Sequence, residues 1–256
     1  MRFRSAFACP LLVAALLLHP LSPAMAARLV AAPMNPAFVK YMDDIRSRRA
    51  LPATGDSEHS TGYVPAPIDL SHLKGRSAAA RTGAPLPASY DLRALGRVTP
   101  VRNQNPYGTC WSFATLGSIE SFLLGSEAIE NRDFSEMHLA WYAYTGDDSF
   151  TNYLAEPLDH GGNLWKSTAL LSRWTGPVDE ADCPYSTAER PSGHWSNYAT
   201  RKHLTDVNYL PWITDKTSDA DIKSALTTFG GVAVAFRWES KYYSPANGTY
   251  HYDGAA

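Results

Sequence analysis

Gln104 and Cys110 stand six positions apart in NQNPYGTCWSF, residues 103–113, a primary amide and a thiol that together could do acyl-transfer chemistry. A cysteine there has four readings: core residue, half of a disulfide, metal ligand or nucleophile. A thiol is a strong nucleophile only as thiolate. The start of a helix favours that form, because unpaired N–H groups and the helix dipole stabilise negative charge there. Cys110 has this setting: the glycine-containing turn Tyr107-Gly108-Thr109 precedes it and an apolar stretch follows. Trp111, directly after it, would shield the thiol and anchor the turn. Gln104 can reach back with its amide N–H2 and, with the backbone N–H of Cys110, form a two-donor oxyanion hole. Each donor in such a site is worth roughly 3–4 kcal/mol.

The elements that must hold this pair read as helices first and strands later. Cys110 to Leu124 is apolar nearly all round, the pattern of a buried helix. A second helix starts on a Ser135 cap and stops at Gly146. A third has Asn163 as N-cap, Gly176 as its stop and Pro177 beyond. A fourth runs from Ser218 to Gly230, with Asp221 three residues in. The period then changes. Val232, Val234 and Phe236 alternate with small residues, and GTYHY follows, so both stretches predict strands. The expected fold class is α+β with two subdomains. His138 reads as a helix-surface residue, His160 as a loop residue, and His194 and His203 as solvated. Nothing pairs them for metal binding, and neither a metal nor another cofactor is expected.

The chain has 256 residues, with 45% apolar and 19% charged residues, the composition of a globular protein with a real core. Its net charge of −2, without a dense Lys/Arg cluster, argues against a nucleic-acid partner. Residues 1–26 read as a signal peptide: Arg2 and Arg4, then apolar Ala6 to Leu18, then Ala24-Met25-Ala26. His19, Pro20 and Pro23 interrupt the run before the ~20 residues a membrane span needs. The expectation is an exported protein, periplasmic or extracellular, off the membrane after cleavage and monomeric. Cys9 leaves with the signal, so only Cys110 and Cys183 remain in an oxidising compartment, as one disulfide or two separate thiols. Residues 27–86 read as a pro-region or extended arm. Phe38 to Met42 opens a short amphipathic helix, Arg46, Arg48 and Arg49 form a basic patch, and TGYVPAPIDLSHL lies extended across a surface.

Residues 86–254 resemble the papain-like cysteine peptidases, in their bacterial secreted branch, and residues 87–256 read as the peptidase domain. The resemblance rests on VTPVRNQ with Gln104, Cys110-Trp111-Ser112-Phe113, DFSEMHLAWYAY, HGGNLW, GPVDEADCPY and GGVAVAF. It implies the two-subdomain papain-like fold and hydrolysis of peptide bonds in protein substrates through an acyl-enzyme. Cys110 would be the nucleophile and Gln104 the oxyanion donor. Gly161 and Gly162 would bind substrate backbone, while Leu164 and Ala235 would line an apolar pocket two residues before the scissile bond. It also places pro-region removal near Leu86 to Ala88.

Three departures qualify the match. Tyr107 and Asp159 stand where the family has a bridged cysteine pair, so packing must close that side. Cys183 has no catalytic counterpart and reads as structural or free. The imidazole of a His-Ala-Val strand and its orienting Asn do not occur before Ala256, and His251 is a poor substitute between two tyrosines. The β-rich half is thus expected to be incomplete and the chain a poor catalyst by itself. Two alternatives stand beside the peptidase: an inactive papain-like domain that binds extended peptides, and a transglutaminase-like thiol acyltransferase.

Overall fold

The computed structural model describes residues 33–47, 63–69, 85–126, 133–145, 157–210, 218–236 and 238–252. The expected signal peptide, Cys9, Arg48 and Arg49 lie outside these residues. The helices are α1 (Pro36–Arg46), α2 (Cys110–Ser126), α3 (Glu136–Thr145), α4 (Leu164–Leu171) and α5 (Ser218–Thr228). The strands are β1 (Tyr243–Ser244) and β2 (Thr249–Tyr250). Among the described residues no helix is long and apolar enough to cross a membrane.

Helices α2, α3 and α4 pack on one another and carry the core. Trp111 and Leu116 of α2, Met137 and Leu139 of α3, and Leu170 and Leu171 of α4 close around Phe134 and Leu158. Each such side chain stabilises the fold by about 1.5–3 kcal/mol on burial. Both expected caps form. The Ser135 Oγ accepts the His138 N–H at 2.9 Å, and the Asn163 Oδ1 accepts the Lys166 N–H at 3.0 Å. Each removes one of the orphan donors that a helix start leaves.

Helix α4 stops at Leu171, earlier than Gly176 would have stopped it. The Thr175 hydroxyl donates to the Leu170 carbonyl at 2.8 Å, and Trp174 turns the chain with φ 63°. A side-chain cap and one left-handed residue thus do the work expected of glycine.

The alternation around Val232–Phe236 makes no strand. The Gly231 N–H donates to the Ser121 Oγ at 2.7 Å and its carbonyl accepts from the Ser118 Oγ at 2.6 Å, which moors the chain to α2. Beyond that point Val234 is 57% and Phe236 63% exposed. A strand needs a ladder partner, and no described segment pairs here. GTYHY contributes only β2, which pairs antiparallel with β1 in the register Tyr243↔Tyr250 and Ser244↔Thr249. Asn247 and Gly248 form the turn, Gly248 with φ +65°.

The described parts of the N-terminal arm touch each other and this core. Met34 bridges Ile68 antiparallel, and the Asn35 N–H donates to the Pro67 carbonyl at 3.0 Å. Helix α1 and the extended residues 63–69 are therefore tied together. Tyr41 of α1 donates its hydroxyl to the His160 carbonyl at 3.3 Å.

Candidate active site

Cys110 is the first residue of α2 and is half-buried, with its thiol free. As the first helical residue it has no partner within the helix for its backbone N–H. Thr109 sets the entry: its carbonyl accepts the Ser112 N–H at 2.9 Å and the Ser112 Oγ at 2.8 Å. Buried Trp111 then pins the first turn, fixing the direction in which Cys110 leaves the helix.

Gln104 lies in the loop before the helix. Its Nε2 donates to the Tyr107 carbonyl at 2.9 Å, while the Tyr107 N–H donates to the Gln104 carbonyl at 3.1 Å. The loop is thus closed on itself beside the helix start.

Tyr107 packs on the side that the resemblance would close with a cysteine bridge. It is buried, and Arg190 covers it, donating from Nη2 to the Tyr107 Oη at 2.7 Å with the guanidinium 4.9 Å from the ring centre. Tyr107→Phe is expected to cost about 1 kcal/mol, the value of a lost hydrogen bond, in urea unfolding. An unchanged midpoint would show that the aromatic packing alone closes this side.

Gly161 and Gly162 form an edge, with Gly162 against Trp111, the residue after the cysteine. Gly161 has φ 67°, a left-handed backbone that suits glycine. At Gly162 the constraint is space: a Cβ would lie 2.3 Å from the Trp111 indole. The Tyr144 hydroxyl donates to the Gly161 carbonyl at 2.6 Å, and its ring meets Trp111 edge-on at 6.5 Å. Burial raises the Tyr144 phenol, so it stays a donor. The Lys166 ammonium sits 3.9 Å over the same ring, and burial lowers its pKa. Leu164 opens α4, half-buried, whereas Ala235 is exposed on the irregular segment after Gly231.

The histidines fall in different places. His138 is not on a helix surface: it is 2% exposed, between Tyr142 at 4.8 Å and Tyr198 at 5.3 Å. That burial pushes its imidazole down to about 4. His160 sits in its loop, half-buried and also lowered by burial. His194 caps the short turn Trp195–Asn197, and His203 stacks on Trp174 at 4.4 Å. His251 is exposed, its N–H bound to the Tyr242 carbonyl at 2.9 Å. None of these described histidines hydrogen-bonds to the Cys110 thiol. Cys183 is a buried core thiol that desolvation raises. Among the described residues no cluster could hold a metal ion.

Two groups escaped the sequence reading. One is a set of buried carboxyls. Glu120 accepts the Phe134 N–H at 2.9 Å, and Glu136 beside it is pushed up to about 8 by burial, with Glu180 and Glu120 adding repulsion. The serine-glutamate helix start hinted at Glu136, but burial could not be read from it. The other is Tyr185, whose ring meets Phe113 edge-on at 5.0 Å. It was visible only as part of the CPY stretch.

Fold and site define the class: an α+β protein whose helical half is led by a cysteine at the start of its central helix, beside a glycine edge. The chain belongs to the papain family of cysteine proteases, whose family profile matches residues 86–255. A cysteine protease of Blomia tropicalis is 25% identical over 158 residues, 62% of this chain and 45% of that protein. The solved cysteine protease and lectin-like domains of Cwp84, a surface layer associated protein of Clostridium difficile, match with a TM-score of 0.60. Identity there is 26%, over 84% of this chain and 42% of that one. The clostridial Cwp84 protease after propeptide cleavage matches at 29% identity and a TM-score of 0.50, covering 60% of this chain and 37% of that one. The chain thus spans less than half the length of these relatives.

Proposed function

We propose that this is an exported thiol endopeptidase, made as a zymogen, with Cys110 as nucleophile. Attack of the thiolate on a peptide carbonyl gives a tetrahedral oxyanion, held by the Cys110 N–H and the Gln104 amide. Loss of the amine leaves an acyl-thioester, which water hydrolyses. The Gly161–Gly162 edge aligns the substrate as an extended strand. Residues 1–26 direct export, and a monomer acting on protein substrates needs no metal or cofactor.

One observation carries this reading: an extended chain already lies on the glycine edge, and it is the protein's own arm. The Val64 N–H donates to the Gly162 carbonyl at 2.7 Å, and Tyr63 bridges Gly162 in parallel. The Asn163 Nδ2 donates to the carbonyls of Val64 and Pro65, each at 3.1 Å. Main-chain bonding of this kind is how a sheet edge takes up a peptide. The arm therefore occupies the place assigned to substrate. Val64, only 2% exposed, is its anchor.

A second reading, a domain that binds extended peptides without cleaving them, draws on the lack of a described imidazole bonded to Cys110. A helix terminus stabilises a charge by about 0.3–2 kcal/mol, whereas activated cysteines reach pKa values of about 3.5–7.5. Both readings share the glycine edge and differ at the thiol.

A thiol-directed epoxide, located by mass spectrometry, tests the assignment. Folded protein is expected to be labelled at Cys110 and not at Cys183; no label at Cys110 would sink the nucleophile. Val64→Pro removes the donor to Gly162 and is expected to raise the Cys110 labelling rate about tenfold, the equivalent of one hydrogen bond. Hydrolysis of a short peptide amide without an amine acceptor would separate peptidase from acyltransferase.

A further inference from the structure

Tyr185 lies far from Cys110 in sequence, yet its hydroxyl joins the two sides of the oxyanion loop. The Tyr185 Oη donates to the Gln104 carbonyl at 2.6 Å and lies 2.6 Å from the Thr109 Oγ1. A carbonyl can only accept, so the single phenolic hydrogen goes to Gln104. The Thr109 hydroxyl must then donate to the phenol. The chain of bonds runs Thr109 Oγ1–H to Tyr185 Oη–H to Gln104 C=O. It links the residue before the nucleophile to the backbone of the proposed amide donor. Thr109 is almost fully buried, so water does not compete at that end.

The tyrosine is itself held rigidly. Its N–H donates to the Glu180 Oε1 at 2.7 Å, and its ring is edge-on to Phe113 at 5.0 Å and to Tyr107 at 6.2 Å. Phe113 is on α2, Tyr107 is in the loop, and Tyr185 touches both. A two-donor hole works only if its donors keep a fixed separation, because misplacement by about 1 Å can cost roughly 100-fold. Here one donor is on the helix start and the other on a loop, and the Tyr185 hydroxyl bonds to both segments.

We infer that Tyr185 is a positioning residue for the oxyanion hole, setting the Gln104 amide against the Cys110 N–H through its bridge from Thr109 to the Gln104 carbonyl. The inference rests on the thiol-peptidase reading of Cys110 and Gln104. It assigns Tyr185 no contact with substrate.

N-acetyl-glycinal enriched in ¹³C at its aldehyde carbon tests this on the full chain. The Cys110 sulfur adds to that carbon, the C=O π bond opens, and the oxygen takes the thiol proton. The hemithioacetal that results places its oxygen in the hole, and its carbon resonance reports occupancy. Tyr185→Phe, which keeps the ring, is expected to weaken aldehyde affinity about tenfold. The rate of Cys110 alkylation by iodoacetamide, which needs no oxyanion hole, should change less than about twofold. In a Gln104→Ala background the same substitution should cost nothing further, since the donor it positions is gone. Thr109→Val, which cuts the other end of the bridge, should reproduce the tenfold loss. An equal loss with and without Gln104, or no loss, overturns the role of Tyr185 alone. Aldehyde binding that survives Cys110→Ala overturns the cysteine assignment, and this inference with it.

Discussion

Gly162→Ala is expected to lower the unfolding free energy by about 3 kcal/mol or more, the upper end of the cost of overfilling a packed core. The added Cβ would stand 2.3, 2.4 and 2.5 Å from three atoms of the Trp111 indole. Contacts that short are relieved cheaply only by a flexible side-chain end, and the indole is a rigid, buried plane held edge-on by Tyr144. Moving Trp111 moves its neighbour Cys110, and moving Gly162 instead breaks the bond to Val64. Either relaxation damages the site as well as the core. Gly117→Ala is the control. It lies within α2, and a Cβ there meets nothing within 4 Å. Alanine is favoured over glycine in a helix by about 1 kcal/mol, so this variant should be slightly stabilised. Urea unfolding of the two proteins should therefore give shifts of opposite sign. Equal midpoints would mean that the Trp111–Gly162 contact does not constrain the fold.

Stability is expected to fall by about 2 kcal/mol between pH 6.5 and 8, chiefly through Glu136. Burial raises this carboxyl from 4.5 to about 8. For a raised carboxyl the folded state holds its proton more tightly than the unfolded chain does. Its contribution is complete below pH 4.5 and is lost as pH rises through 8. His138 acts oppositely: burial lowers it from 6.5 to about 4, so its contribution is complete above 6.5 and is lost as pH falls towards 4. Between 4.5 and 6.5 the two slopes oppose each other and stability should vary little. Above 6.5 the Glu136 slope stands without the histidine's, at about 1.4 kcal/mol per pH unit over 1.5 units. Glu120 and Glu180 are raised by burial in the same sense and steepen any decline above their ordinary range. A series of Tm values against pH should show a plateau and then a fall, and Glu136→Gln should flatten that fall. An equally steep fall in the variant would assign it to other groups.

What the sequence determined by itself is what short-range physics controls. The cysteine heads a helix because a glycine turn precedes it and it opens a run of seventeen helix-compatible residues. Ser135 and Asn163 cap the next helices because a side-chain oxygen reaches an N–H two or three residues away, whatever the rest of the chain does. The family motifs around Gln104, Cys110 and Gly161–Gly162 were legible for the same reason, each being a local string of chemistry. Tertiary structure decided everything that depends on a distant neighbour. His138 looked like a surface residue until Tyr198, far along the chain, closed over it. Gly162 is a glycine on account of Trp111, and the Gln104 loop is held by Tyr185. The alternation at Val232–Phe236 has the period of a strand, but a period supplies no partner, and none of the described segments pairs with it. Periodicity and capping are written along the chain; burial, and the pKa shifts and steric limits that come with it, arise only when segments remote in sequence meet.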